Sequence, residues 1–132
     1  MMRVVLGIGC DRGTSLQTLN AAVDEAVKLA GVVRTAVATL ATIDKKSDEA
    51  GLLALAHAHG WSMTFYTAEE LARVTVPNPS EMVRKHMGTP AVAEAAALLA
   101  ARAGVNDLLV EKHKYRGADG KNATVSIARI VG

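Results

Sequence analysis

The chain has 132 residues, half of them hydrophobic and 21% charged, with a formal net charge of +2. That length fits one domain with a true hydrophobic core. A charge so close to balance, with Trp61, Phe65, Tyr66 and Tyr115 as the only aromatics, excludes a uniformly basic surface or a base-stacking platform, so no nucleic-acid partner is expected.

Further classes drop out on the same grounds. No apolar stretch approaches the ~20 residues of a membrane span, and "MMRVVLGIGC" lacks the long apolar region and cleavage site of a signal peptide. A cytoplasmic protein with no membrane partner is therefore expected. The single cysteine, Cys10, excludes an internal disulfide and a cysteine-cluster metal site, which agrees with a reducing compartment.

In chain order, "RVVLGIGC" (3–10) is a short apolar, β-branched run ending in glycines, as a central strand buried on both faces would be. Leu16, Leu19, Val23, Ala26, Val27 and Ala30 then keep the spacing of one helical face, with Thr14 as the expected cap, Gln17 three residues on, and Gly31 as the stop. "TAVATLATI" (35–43) predicts a second strand, residues 49–60 a second helix ending at Gly60, "WSMTFYT" (61–67) a third strand and "AEELARV" a short helix. Alternation of strand and helix implies a largely parallel sheet with helices on its faces. Asn78 with Pro79, and Thr89 with Pro90, each begin a further helix, ending near Gly88 and at Gly104. "NDLLVEKHK" (106–114) and "NATVSIARIV" (122–131) close the chain as strands joined through Asp119-Gly120, a short connection that makes them antiparallel. The expected fold is α/β, three layers α/β/α, with a mixed, mostly parallel sheet of about five strands ending in an antiparallel hairpin. No internal repeat or linker divides it, so residues 1–132 are expected to form one domain.

The loop "LGIGCDRGTS" invites a dinucleotide-binding reading, but Gly7, Gly9 and Gly13 give G-x-G-x-x-x-G, one residue too long. No acidic strand end lies ~20 residues on, and no Lys-Ser/Thr follows Gly13 as a Walker A loop requires. Free amides, a helix dipole and the guanidinium of Arg12 still favour an anionic group here. The alternative is a tight turn whose glycines only relieve backbone strain. Cys10 stands at the helix start, where a thiol is activated, but local spacing ties no histidine or acid to it, and it reads better as a small core residue.

"TIDKKSDE" (42–49) lies at the carboxyl edge where open α/β sheets place ligands, though a solvated turn capped by Ser47 explains it equally well. His57 and His59 diverge by about 200° on a helix and, like His86, suit surface positions; no metal and no cofactor is expected. Around the final turn stand Lys112, Lys114, Arg116 and Lys121, with Lys112 and Lys114 on one face, either a charged edge or a site for acidic groups.

Together, "GIGCDRGTS", "ATIDKKSDEAGLLALA", "FYTAEELARV", "VPNPSEMVRKHMGTPAVAEAAALLAA" and "LLVEKHK…ATVSIARI" resemble the cobalamin-biosynthesis family comprising CobE and the C-terminal domain of CbiG, over nearly the whole chain and in order. The resemblance implies a three-layer α/β/α domain of the stand-alone, CobE-like kind with a role in building the corrin ring of vitamin B12. It implies binding of a precorrin intermediate as accessory or carrier, with hydrolysis of the δ-lactone of a precorrin-5A-type intermediate, releasing acetaldehyde, as the alternative. Whether the domain is an enzyme stays open at this point, and a nucleotide-binding domain is the weaker alternative. A corrin precursor surrounds an apolar ring with acetate and propionate carboxylates, so its site needs separated anion donors and an apolar floor. By position in the family pattern, Gly9, Cys10, Arg12, Gly13, Thr14, Ser15, Asn78, Pro79, Ser80, Gly88, Thr89, Lys112 and Lys114 would bind substrate. If hydrolysis is retained, Asp44 or Glu49 would be the base, and Lys45 or Arg12 would stabilise the oxyanion. Implied partners are the corrinoid intermediate and other enzymes of the pathway; a homodimer is compatible with the resemblance.

Overall fold

The computed structural model describes residues 2–74 and 92–131. The apolar run at the start forms β1 (Val4–Cys10) at the centre of a five-stranded sheet, with β2 (Val37–Ile43) and β3 (Ser62–Tyr66) parallel to it on one side. On the other side β5 (Asn122–Arg129) pairs antiparallel with β1, and β4 (Leu108–Arg116) antiparallel with β5, giving the order β3-β2-β1-β5-β4. Only β5 therefore runs against the rest. The α/β layer architecture expected from the alternating pattern is the one observed, hairpin included.

Helices cover both faces. Val4, Leu6 and Ile8 of β1 point to one side, where α1 (Leu16–Ala30) supplies Leu19, Val23, Ala26 and Val27, and α2 (Ala50–His59) supplies Leu52 and Leu55. Val5 points to the other, under α3 (Ala68–Ala72) and α4 (Val92–Ala101), with Leu71, Val92, Ala95, Ala96 and Leu98 in a second apolar cluster. Gly7 belongs to this face too. A Cβ there would lie 1.9 Å from the Ala93 carbonyl oxygen, so α4 rests directly on the β1 backbone. Among the described residues no helix is long and apolar enough to cross a membrane.

Several element ends differ from expectation. Ser15, not Thr14, caps α1: its hydroxyl accepts from Thr18 N at 3.1 Å, while Thr14 Oγ1 donates to the Asp11 carbonyl at 2.6 Å. Ser47 does not cap α2: it closes the 3-10 turn Asp44–Lys46, its N–H donating to the Asp44 carbonyl, and α2 starts only after Glu49. Nor does Gly104 stop α4. Arg102 takes the left-handed conformation (φ 54°) as Ala103 N donates back to the Leu98 carbonyl, closing the helix earlier. The helix expected from Asn78 and Pro79, and the cap at Thr89 and Pro90, lie outside the described residues. His59 is no bare surface residue: its ring stacks on Trp61 with 4.5 Å between centroids, and its Nε2 lies 2.6 Å from Arg34 Nη1.

Candidate functional site

β1 and β2 end side by side, and the chain departs from β1 toward β2 on one flank while β5 of the hairpin occupies the other. Such a reversal of strand order leaves a crevice beyond the carboxyl ends of the strands. A cavity of about 260 Å³ opens there, lined by Gly9, Cys10, Asp11, Arg12, Ile43, Lys45, Lys46 and Val92. Gly9 faces the first turn of α4, where a Cβ would stand 3.7 Å from Val92 Cβ. Among the described residues the walls combine an apolar floor with three cationic side chains against one carboxylate.

That carboxylate is held by the hairpin: Asp11 Oδ2 accepts from Asn122 N at 2.8 Å and Asn122 Nδ2 at 3.1 Å. The Cys10 thiol is pushed up chiefly by burial, with Lys46 pulling it down and Glu49 raising it further. A thiol so placed stays protonated and is a poor nucleophile.

The turn after β1 is a place for anions, and the chain supplies two of its own. Gly13, at φ +78°, turns its N–H to Glu49 Oε2 at 3.0 Å, and Ser15 N donates to Asp119 Oδ2 at 3.0 Å. The N–H groups of Ser15 and Lys121 hold the Asp119 carboxyl far below the usual range. Arg12 ties the same turn to the one after β2, donating to Asp48 Oδ1 at 2.7 Å, Glu49 Oε1 at 3.3 Å and the Lys45 carbonyl. Its side chain nevertheless stays 57% exposed at the cavity wall.

The site residues expected from the sequence thus fall into groups. Gly9, Cys10, Arg12 and Lys45 meet in the cavity, whereas Gly13, Thr14, Ser15 and Glu49 form the brace behind it. Asp44 is exposed on the 3-10 turn and outside the lining. Lys112 and Lys114 stand on the α4 face of β4, where Lys112 Nζ lies 3.0 Å from Oε1 of the buried Glu94. Asn78, Pro79, Ser80, Gly88 and Thr89 lie outside the described residues. Sequence reasoning placed Lys46 and Asp48 in the segment 42–49 without singling them out, read Asp119 only as a turn residue, and passed over Asp11 and Glu94. Glu94 carried a usable signal, as the one acid inside "AVAEAAALLAA", where helical periodicity calls for apolar residues throughout. Among the described residues no group of three or more His, Cys, Asp or Glu could hold a metal ion.

The class of protein so defined is an open mixed α/β sheet domain with a crevice at its strand-order reversal, lined in part by Arg12, Lys45 and Lys46. Residues 4–128 match the family described as "Cobalamin synthesis G C-terminus", and the chain belongs to it. It is 32% identical over 127 residues to cobalt-precorrin-5A hydrolase of Priestia megaterium, covering 96% of this chain and 32% of that protein. It is 35% identical over 100 residues to Protein CobE of a Sinorhizobium species, covering 74% of this chain and 65% of that one. The chain thus spans less than two thirds of both curated relatives. The crystal structure of CobE, a protein from the cobalamin (vitamin B12) biosynthetic pathway, superposes with a TM-score of 0.76 at 34% identity, covering 98% of this chain and 92% of that chain. The chain's role lies in cobalamin biosynthesis.

Proposed function

We propose that the chain binds a polycarboxylate corrin-ring intermediate and acts as an accessory or carrier protein. The observation that carries this reading is the cavity beyond β1 and β2, where Arg12, Lys45 and Lys46 surround a floor of Ile43 and Val92. At about 260 Å³ the cavity suits one acidic side arm, with the ring lying across its mouth. Salt bridges from the cations fix the arm, and the apolar floor packs against its methylenes. Lys114, on the α4 face of β4, is available to a second arm.

Hydrolysis of a precorrin-5A-type lactone is the second reading, favoured by the 32% identity to a cobalt-precorrin-5A hydrolase. It needs a base facing the substrate. Glu49 is spent on Gly13 and Arg12, Asp11 on Asn122, and Asp44 lies outside the lining. Binding without turnover therefore agrees better with the geometry.

The test is titration of the protein with a corrin precursor bearing free acetate and propionate arms, followed by visible absorption. A saturable spectral shift is expected, weakened about tenfold by the double substitution of Lys45 and Lys46 with alanine. An unchanged spectrum overturns the proposal, and acetaldehyde release would establish the hydrolase instead. Saturable ATP or NAD(P) binding with no corrin response would favour a nucleotide-binding domain.

A further inference from the structure

α4 is an alanine-rich helix seated on the backbone of β1, and it nevertheless buries Glu94 to 1% exposure. Among the described residues neither carboxylate oxygen has a hydrogen bond of acceptable geometry, and the counter-ion is Lys112 Nζ, 3.0 Å from Oε1. A buried carboxylate in that position is expensive to keep ionised, and the adjacent ammonium offsets that cost. The two partners differ in access: the Lys112 side chain is 19% exposed and that of Glu94 1%. Neither residue lines the cavity at the ends of β1 and β2, so the pair is a separate point of contact on the same face of the sheet.

We infer that Glu94 and Lys112 form a ligand-released ion pair, in which a carboxylate that claims Lys112 is taken up together with one proton on Glu94. The inference rests on the proposed binding of a polycarboxylate and adds to it the group that answers. When the ammonium turns to an incoming carboxylate, Glu94 is left as an uncompensated buried charge. The lower-energy outcome is capture of a proton from solvent, giving a neutral carboxylic acid with no covalent change elsewhere.

The surroundings support this. Burial already pushes the Glu94 carboxyl up, opposed by Lys112 and more weakly by Lys114, with Glu111 adding to the rise; among the described residues these charged neighbours belong to β4. From β1 and β2 the helix meets Val5, Gly7, Ala41 and Ile43, and from β5 Ala128, none of which titrates. α3 contributes Leu71 to the same cluster, and the end of β3 contributes Tyr66, a titratable phenol.

Calorimetric titration of the full chain with the corrin polycarboxylate, in two buffers of different ionisation enthalpy at neutral pH, counts the protons. The wild type is expected to take up about one per ligand, with affinity falling as pH rises. Glu94→Gln, which mimics the protonated state, is expected to show no uptake, a flat pH profile and about threefold tighter binding at neutral pH. Lys112→Met is expected to bind about tenfold more weakly and also without uptake, because its Glu94 is neutral beforehand. Binding to the wild type without proton uptake, or uptake that persists in Glu94→Gln, overturns the inference while corrin binding stands. Should Glu94→Gln fail to fold, uptake that persists in Lys112→Met overturns it equally. No spectral response from folded wild-type protein removes the binding proposal and this inference together.

Discussion

On one face of the sheet α1 and α2 bury Leu6, Ile8, Leu19, Leu40, Leu52, Leu55 and Ile127, whereas on the other α4 lies over Gly7 and packs chiefly through alanines. Large aliphatic side chains interlock at a distance and hold their layer by volume. Small ones let a helix descend onto the strands, so its position is set by backbone contact. The cavity opens at the start of that descended helix, where Val92 meets Gly9. The second face thus trades apolar volume for precise placement of a helix end, and it is also the face that tolerates a buried Glu94.

Substitutions that disturb one face and spare the other would sharpen the contrast. The largest effect is expected from Gly7→Val, since even a single Cβ would sit 1.9 Å from the Ala93 carbonyl and α4 must move as a unit. A loss of about 4 kcal/mol in denaturant unfolding, with loss of corrin binding, is expected. Leu55→Ala, on the opposite face, should cost about 3 kcal/mol through the cavity it leaves and spare the binding affinity. Equal loss of binding in both variants would break the distinction between the faces.

A smaller effect is expected at the seam between α1 and the hairpin. Asp119 is held below its ordinary value by the Ser15 and Lys121 N–H groups, so its contribution to stability is complete above the unfolded value near pH ~4 and declines as pH falls below it. Asp119→Asn should lower the denaturation midpoint at neutral pH and make its decline below about pH 4 shallower, as read from unfolding curves across the acid range. The least change belongs to Arg73→Ala. Arg73 and Glu69 are both largely exposed and 3.7 Å apart, so the cost should stay below ~0.5 kcal/mol in the same unfolding assay.

Much of this organisation was legible in the chain. The stripe Leu19, Val23, Ala26 and Val27 is the buried face of α1, and the glycine-terminated run 3–10 is the central strand, because periodicity and β-branching are local properties. The caps were less legible. Thr14 and Ser15 are chemically interchangeable as caps, and only the Asp11 carbonyl, brought within reach by the turn, decides between them. The anion-seeking character of the loop was readable from its glycines and Arg12. That Glu49 and Asp119, 36 and 104 positions away along the chain from the amides they accept from, would occupy it was not.

By itself the sequence determined the order and type of the elements, the α/β layering and the family, since those follow from hydrophobic period, turn chemistry and residues held at set spacings. Tertiary structure alone decided which charges face outward and which are consumed within. Glu49 is buried in bracing the turn after β1, Arg12 and Asp119 are paired while still exposed, and Lys45 and Lys46 stand with Arg12 at the cavity wall. The physical reason is that a charge is defined by its partner, and these partners are set by where β1, β2 and the hairpin end in space. Glu94 joins both halves: its place in an alanine run was visible, but its pairing with Lys112 arose only when α4 settled on the sheet.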